Sequence, residues 1–360
     1  MNKIQILMLG ESLDRSGGIV SVQKLILNNT PNQIKNHHIV TLPNGSTVTK
    51  ILVFIRALGL LSWRLLTKEV NLVHIHVAER GSAFRQACTT TIAWLFRKPV
   101  VLHSHSADFH VFYANLPPIA RLGLRWTFCK STRFIVLSHS WKKFYVENLG
   151  LKAERVIVLP NPVKFPVKIP QRINSGKVTF LFLGRIGERK GVFDLIDAFA
   201  TIPLTKQQNT RLIIAGDGEG KRARDLIEKL NLNQYITILD WVDEQQRNEL
   251  LASADVFVLP SYNEGLPMAL LEAMSWQLPT ITTPVGGIPE LVISGVNGLL
   301  VNPGEIEQLS DVMQSLIDNE PLRLSLGAAA REAVSPFEVS KYCIQLVNIF
   351  TECLDNTIDV

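Results

Sequence analysis

The sequence predicts two consecutive α/β domains, each a doubly wound parallel sheet, and three observations carry that prediction. The chain has 360 residues, more than one hydrophobic core usually organises. Short runs rich in Val, Ile and Leu alternate with longer amphipathic stretches from end to end, the βαβ pattern of parallel sheets covered on both faces. Between two such series, LPNPVKFPVKIPQRINSGK (159–177) holds Pro160, Pro162, Pro166 and Pro170 and then Ser-Gly, which reads as an interdomain linker. The expected domains are 1–165 and 175–335.

In the first series IQILMLG, HHIVTL, LVHIHV, PVVLHSH, FIVLS and RVIVLP read as buried strands without polar alternation. In the second, VTFLFLG, RLIIAG, ITILDW, VFVLPS, PTITT and GLLV do so. VFDLIDAFATI and RARDLIEKLNL, between the latter, have apolar positions at three- and four-residue spacing and read as helices. The opening MNKIQILMLG has no small-residue cleavage site and reads as a first strand rather than a leader. ILVFIRALGLLSWRLL (51–66) is interrupted by Arg56 and Arg64 and falls short of the roughly 20 apolar residues that span a bilayer.

Hydrophobic residues make up 46% and charged residues 19%, which excludes a disordered chain. Cys88, Cys129, Cys343 and Cys353 form no C-x-x-C pair, so neither a disulfide framework nor a cysteine zinc site is expected, and a reducing, cytoplasmic setting is. Residues 1–170 carry 22 Lys and Arg against 7 Asp and Glu, whereas the rest carries 15 against 25. The basic half should meet something anionic: nucleic acid, an acidic membrane or a phosphorylated substrate. No nucleic-acid recognition module is present, so nucleic acid is not expected.

The strongest motif is VFVLPSYNEGLPMALLEAMSWQLPTITTPVGGIPELV (256–292). A strand runs into a loop, and Pro267 suits the first turn of the next helix. Glu264 thus lies in the loop and Glu272 in the helix, seven residues apart in between. Loop amides and a helix start offer donors to an anion, while carboxylates accept from vicinal hydroxyls such as those of a ribose or hexose. In FLGRIGERKG (182–191), Arg185 and Lys190 follow a strand on a glycine-flanked loop, two cations suited to a diphosphate. AGDGEGK (215–221) would need glycine at Lys221 to complete G-x-G-x-x-G, and reads as a strand–helix turn. In the first half, Gly17 and Gly18 of SGGIV would let backbone amides approach a phosphate or sugar. PVVLHSHSADFH (99–110) puts His103, His105, Asp108 and His110 near a strand end. These are metal-ligand types, but no metal is expected. His74 and His76 lie on a separate run, where His74 reads as a polar group at a sheet edge.

The E-x₇-E arrangement with TPVGGIPELV, joined to FLGRIGERKG, AGDGEG and the linker, resembles the family 4 retaining glycosyltransferases. The resemblance covers nearly all of the second half and continues more weakly through GGI (17–19) and the HSH segment. It implies the GT-B fold, two Rossmann-like domains facing a cleft, with a tail helix (337–356) packing back on the first. It implies a nucleotide-sugar donor, UDP- or GDP-linked, and a saccharide or polyprenyl-linked acceptor, in a bacterial polysaccharide pathway. Donor binding falls to Gly18, Arg185, Lys190, Val242, Glu264, Gly265, Leu266 and Glu272. Glu264 would hold donor-sugar hydroxyls, Glu272 the ribose, and Arg185 with Lys190 the diphosphate. His105 aligns with the family's active-site histidine and would orient the sugar and stabilise developing charge rather than attack. Trp241 and Val242 would hold the base through backbone groups, with core packing of Trp241 the alternative. No D-x-D occurs, and no metal or other cofactor is implied. Trp63-Arg64, PPIARLGLRWTFCKSTR (117–133) and WKKFY (141–145) interleave cations with large apolar side chains, which suits an acidic membrane surface, the inner face of the plasma membrane. Two rival readings are a GT-B nucleotide-sugar epimerase and a non-catalytic membrane or assembly module. The seven acidic residues of the first half count against the former, and the intact cation and glutamate set against the latter.

Overall fold

The computed structural model describes residues 3–67, 69–172 and 176–355; the linker residues 173–175 and the expected last residue of the tail helix, 356, lie outside them. The chain divides into two compact units, one up to Pro162 and including the tail from Phe337, the other Val163–Pro336. The first runs β1 (Ile4–Glu11), α1 (Gly18–Asn29), β2 (Ile34–Leu42), α2 (Thr47–Leu66), β3 (Leu72–Val77), α3 (Gly81–Leu95), β4 (Val100–Ser104), α4 (Phe109–Ala114), α5 (Pro118–Phe128), β5 (Arg133–Val136), α6 (His139–Leu149) and β6 (Val156–Val158). The second runs β7 (Val178–Leu183), α7 (Val192–Thr201), α8 (Leu204–Gln207), β8 (Thr210–Ala215), α9 (Gly220–Lys229), β9 (Ile236–Leu239), α10 (Glu244–Ser253), β10 (Val256–Leu259), α11 (Met268–Ser275), β11 (Thr280–Thr282), β12 (Leu299–Leu300), α12 (Ile306–Asp318) and α13 (Glu320–Val334). Helix α14 (Val339–Asp355) belongs to the first unit and packs on α1.

Each unit holds a six-stranded sheet, ordered β2-β1-β3-β4-β5-β6 and β12-β11-β10-β7-β8-β9. Every neighbouring pair is parallel. Strand order reverses between β1 and β3 in the first sheet and between β7 and β10 in the second. In open parallel sheets the crevice outside the carboxyl ends of the strands at such a reversal is where ligands bind.

The two faces of the first sheet differ. Leu7, Leu9, Val73, Ile75, Val77, Val100 and Leu102 point to one side and share a core with Ala57 and Leu61 of α2, Ala93 of α3 and Phe128 of α5. Because side chains alternate along a strand, Met8, His74, His76 and His103 point to the other, and Phe350 of α14 meets the His74 ring there at 5.3 Å. Strand β3 therefore does alternate apolar with polar, and β4 carries His103 and Ser104 at its end, contrary to the expectation of uniform apolar runs. His74 is no edge residue: β3 is central and His74 is 0% exposed. WKKFY is likewise corrected as a surface patch. Trp141 and Tyr145 are buried in the core cluster, Lys142 and Phe144 are half-buried, and Lys143 is the exposed one. Trp241 is 51% exposed, so the core-packing alternative for it does not hold.

In the second unit, Gly191 ends a single 3-10 turn (Glu188–Lys190) with φ of 67° and begins α7. A Cβ there would lie 2.1 Å from the carbonyl oxygen of Pro260, so both the left-handed backbone and the close approach of the loop after β10 require glycine. Gly191→Ala should lower the stability of this unit by about 2 kcal/mol or more, read as an earlier urea transition; an unchanged midpoint would contradict the close approach.

Candidate active site

The loops after β7 and β10 meet at the reversal of the second sheet. The 3-10 turn carries Lys190 toward the loop after β10, where its Nζ donates to Glu264 Oε1, and Ser261 Oγ donates to the same oxygen at 2.8 Å. Glu264 is only 4% exposed. A buried carboxylate needs such partners, since desolvation without them would cost several kcal/mol. The two loops are also laced through their backbones. Tyr262 N donates to Arg189 O at 2.9 Å, and Arg189 Nη1 donates to Asn263 O at 2.9 Å. The TPVGG loop after β11 supports Glu264 from behind: Gly287 N donates to Gly265 O at 2.7 Å, and a Cβ on Gly286 (φ 58°) would lie 1.8 Å from Glu264 O.

Arg185 stands at the rim, its side chain 71% exposed and Nη1 3.9 Å from Asp217 Oδ2. At that distance and exposure the pair binds weakly, which leaves the guanidinium available to an incoming anion. AGDGEG is tied to the same loop, for Ile186 N donates to Asp217 O at 2.6 Å and Glu219 N to Ile186 O at 2.9 Å. Gly265 and Leu266 are buried in the turn into α11, whose N-cap is Pro267 rather than a residue of its first turn. Glu272 sits on α11, largely buried, 3.4 Å from Arg247 Nε of α10. Burial raises its pKa, and Arg247 opposes that rise. Arg247 was not legible as a site residue: no motif marks it, and only the folding of α10 beside α11 brings it there. Val242, half-buried beside Trp241, lines a cavity with Leu239, Asp240, Gln246 and Leu250.

In the first unit Gly17, with φ of 133°, caps α1, and Gly18 is its first residue. A Cβ on Gly17 would meet nothing within 4 Å, so the open side of this turn faces away from packed atoms. The histidines form an unexpected group. His76 and His103 are register partners on β3 and β4; His105 follows β4, its N–H donating to Val77 O at 2.9 Å. His76 Nδ1 lies 2.8 Å from His105 Nε2, and the ring centroids of His103 and His105 are 4.1 Å apart. Asn161, another residue the sequence did not mark, forms a side-chain hydrogen bond with His105. Burial pushes the pKa of His74 and of His105 down to about 3. Those of His76 and His103 fall well below the ordinary value through burial, with neighbouring imidazoles adding to it. All four rings are therefore neutral at physiological pH. The structure does not assemble His103, His105, Asp108 and His110 as one group, because His110 lies on α4, exposed, with its ring 5.6 Å from Trp141.

Two doubly wound parallel sheets in succession, with a tail helix returned to the first unit, define the GT-B class of glycosyltransferases. The comparisons agree over nearly the whole chain. Residues 166–333 match the family described as glycosyl transferases group 1, and residues 5–165 match glycosyltransferase family 4. An uncharacterized glycosyltransferase of Methanocaldococcus jannaschii is 29% identical over 329 residues, covering 90% of this chain and 87% of that one. The UDP-Gal:alpha-D-GlcNAc-diphosphoundecaprenol alpha-1,3-galactosyltransferase of Escherichia coli is 26% identical over 318 residues, with 82% and 79% covered. Several other curated relatives are matched over less than half of their own length. Among solved structures, Anabaena Alr3699/HepE in complex with UDP and glucose superposes with a TM-score of 0.75 at 18% identity, covering 97% of this chain and all of that one. The chain belongs to glycosyltransferase family 4 and is a glycosyltransferase.

Removing one partner of the buried pair should expose its cost. Lys190→Met strands the Glu264 carboxylate and should destabilise the second unit by about 3–5 kcal/mol, measured by chemical denaturation. Adding Glu264→Gln to it should recover much of that loss, and a double variant no better than the single one would contradict the pairing.

Proposed function

We propose that this glycosyltransferase takes a sugar from a UDP- or GDP-linked donor and passes it, with retention of configuration, to a saccharide or polyprenyl-linked acceptor in surface-polysaccharide assembly. The observation that carries this reading is the Lys190–Glu264 pair at the reversal between β7 and β10. It sets a cation and a hydroxyl acceptor side by side where a nucleotide sugar has both a diphosphate and a sugar ring. On this reading the second unit is the nucleotide-sugar domain and the first the acceptor-side domain. Arg185 and Lys190 neutralise the departing diphosphate, so transfer needs no metal. Glu264 accepts from donor-sugar hydroxyls, with Gly265 and Leu266 presenting the turn around them. Glu272 accepts from the ribose, Val242 holds the base through its backbone, and Gly18 offers its amide to the sugar or phosphate. His105, braced by His76, orients the donor sugar and stabilises charge as it develops; the leaving diphosphate takes the acceptor's proton. The HepE structure with UDP and glucose and the galactosyltransferase named for a diphosphoundecaprenol substrate support donor and acceptor class alike.

Calorimetry with UDP, GDP and their sugar conjugates, in EDTA, should find one nucleotide bound without metal. Glu272→Ala should weaken that binding by about tenfold, the loss of one charge-assisted hydrogen bond. His105→Ala should leave nucleotide binding intact and abolish transfer; full turnover in that variant would remove His105 from the site.

The same chain would work at an acidic membrane surface. No helix among the described residues is long and apolar enough to cross a membrane, yet α2 exposes Val48, Ile51, Leu52, Ile55, Trp63 and Leu66. Neighbouring α3 and α5 add Trp94, Leu95, Ile119, Leu122 and Trp126. Arg56 lies within the α2 array, and Lys130 Nζ sits 4.5 and 4.8 Å from the Trp94 and Trp126 ring centroids. Exposed apolar helix faces with interleaved cations lie in the interface of anionic bilayers rather than across them. The protein should float with vesicles containing phosphatidylglycerol and less with phosphatidylcholine alone, and Ile51→Asp with Ile55→Asp should abolish flotation. Equal recovery with both lipids would sink the acidic-surface reading.

A further inference from the structure

Of the histidine group in the first unit, the proposed transfer uses His105 and the support that His76 gives it, and the group poses a physical problem of its own. Both ring nitrogens of His74 and of His103, and Nε2 of His76, are buried without a hydrogen-bond partner. Five orphaned polar atoms on three adjacent rings are far from usual, since buried polar side-chain atoms nearly always find partners, and groups that do not call for an unplaced water or ion. One nitrogen from each of the three rings falls in a set whose members lie within 4.8 Å of one another. The sheet fixes this convergence. His74 and His76 are two residues apart on one strand and so share a face, and parallel register sets His103 directly beside His76.

We propose that His74, His76 and His103 form a binding site for a divalent transition-metal ion of the zinc class, between the first sheet and α14. Three neutral imidazoles and no carboxylate make a nitrogen-only donor set, which suits Zn²⁺, Co²⁺, Ni²⁺ or Cu²⁺ and not Mg²⁺ or Ca²⁺. Tetrahedral bonds of about 2.1 Å put neighbouring nitrogens about 3.4 Å apart, so modest ring rotations close the set. The tautomers also fit. With Nε2 of His76 on the metal, its Nδ1 carries the proton and donates to His105 Nε2 at 2.8 Å, the outer-shell hydrogen bond by which metal-ligating histidines are ordinarily oriented. Of the four rings only that of His105, beyond the end of β4, belongs to a residue with partial exposure. The ligands come from the first sheet and the diphosphate cations from the second, so the site does not rest on the donor chemistry proposed above and meets it only through the His76–His105 hydrogen bond.

The test uses the full-length, untagged chain, stripped with chelator and titrated with Co²⁺ alone, and separately with Zn²⁺ in a calorimeter. One equivalent should bind, and Co²⁺ should develop the visible absorption of a low-coordinate nitrogen site. Mg²⁺ should give no heat. His74→Phe and His103→Asn should each weaken binding on the order of 100-fold, since removing a nitrogen that touches the metal costs at least as much as removing a ligand's hydrogen-bond partner, with folding checked by circular dichroism. No saturable binding by the wild-type chain, or equal binding by both variants, overturns the proposal. Should the variants not fold, the Co²⁺-loaded wild type still decides. Its paramagnetically shifted imidazole N–H resonances report the number of histidine ligands, and fewer than three overturns the site.

Discussion

Both sheets are wholly parallel, and that constraint shapes everything else in the molecule. A parallel sheet is wrapped by its crossover helices on both faces, so its strands can hold few polar groups unless those groups satisfy one another. Unwrapped backbone and charged side chains collect at the carboxyl ends, above all where strand order reverses and two loops part in opposite directions. In the second unit this position holds Lys190, Glu264 and Ser261, and their bonds to one another make a buried charge tolerable there. The glycines follow from the same crowding: Gly191 and Gly286 stand where one loop's backbone passes against a neighbouring loop's carbonyl oxygen.

The strands were legible because a strand covered on both faces must be apolar and short, and each of the twelve apolar runs coincides with a strand of the sheets. Glu264 and Glu272 were legible in the sense that a strand, a turn and a helix start dictate one loop residue and one helix residue. What pairs with them was only half legible. Lys190 lies 74 positions from Glu264, and glycine flanks alone told that its loop was exceptional; Arg247 carried no local sign at all, since α10 is an ordinary capped helix until α11 packs beside it. The histidines were misread for a related reason. His74 and His76 belong to β3, and His103 and His105 to β4 and its end, so segment-by-segment reading grouped His105 with its sequence neighbours Asp108 and His110. Register between strands, which local pattern does not reveal, regroups it with His76.

Burial of His74, His76 and His103 on one sheet face is costly in a way that apolar packing alone would avoid, because leucine or valine at His74 and His103 would leave no nitrogen of theirs unpaired. The rings instead hold one another edge and face, with centroids 4.1 to 5.6 Å apart, and pass the contact on to His105. His105 thus owes its orientation less to its own loop than to β3. This links the core of the first unit to the end of β4, so that repacking deep in the sheet is felt at a residue near the surface.

The division of charge along the chain takes on a meaning once the surfaces are known. The excess of cations in the first 170 residues does not include Arg185 and Lys190, which both lie in the acidic half. Several of those cations lie instead among exposed apolar side chains of α2, α3 and α5, where Lys130 rests over two tryptophan rings. In the acidic half the net field disfavours anions in general, so a diphosphate can be held only where fixed cations outweigh it locally. Arg185 is exposed and weakly paired, whereas Lys190 is half-buried and firmly paired. An exposed, weakly paired guanidinium is free to reorient, while a largely desolvated ammonium interacts strongly with any charge that reaches it. The cations of the basic half are thus spread through an apolar surface, whereas Arg185 and Lys190 stand singled out in acidic surroundings.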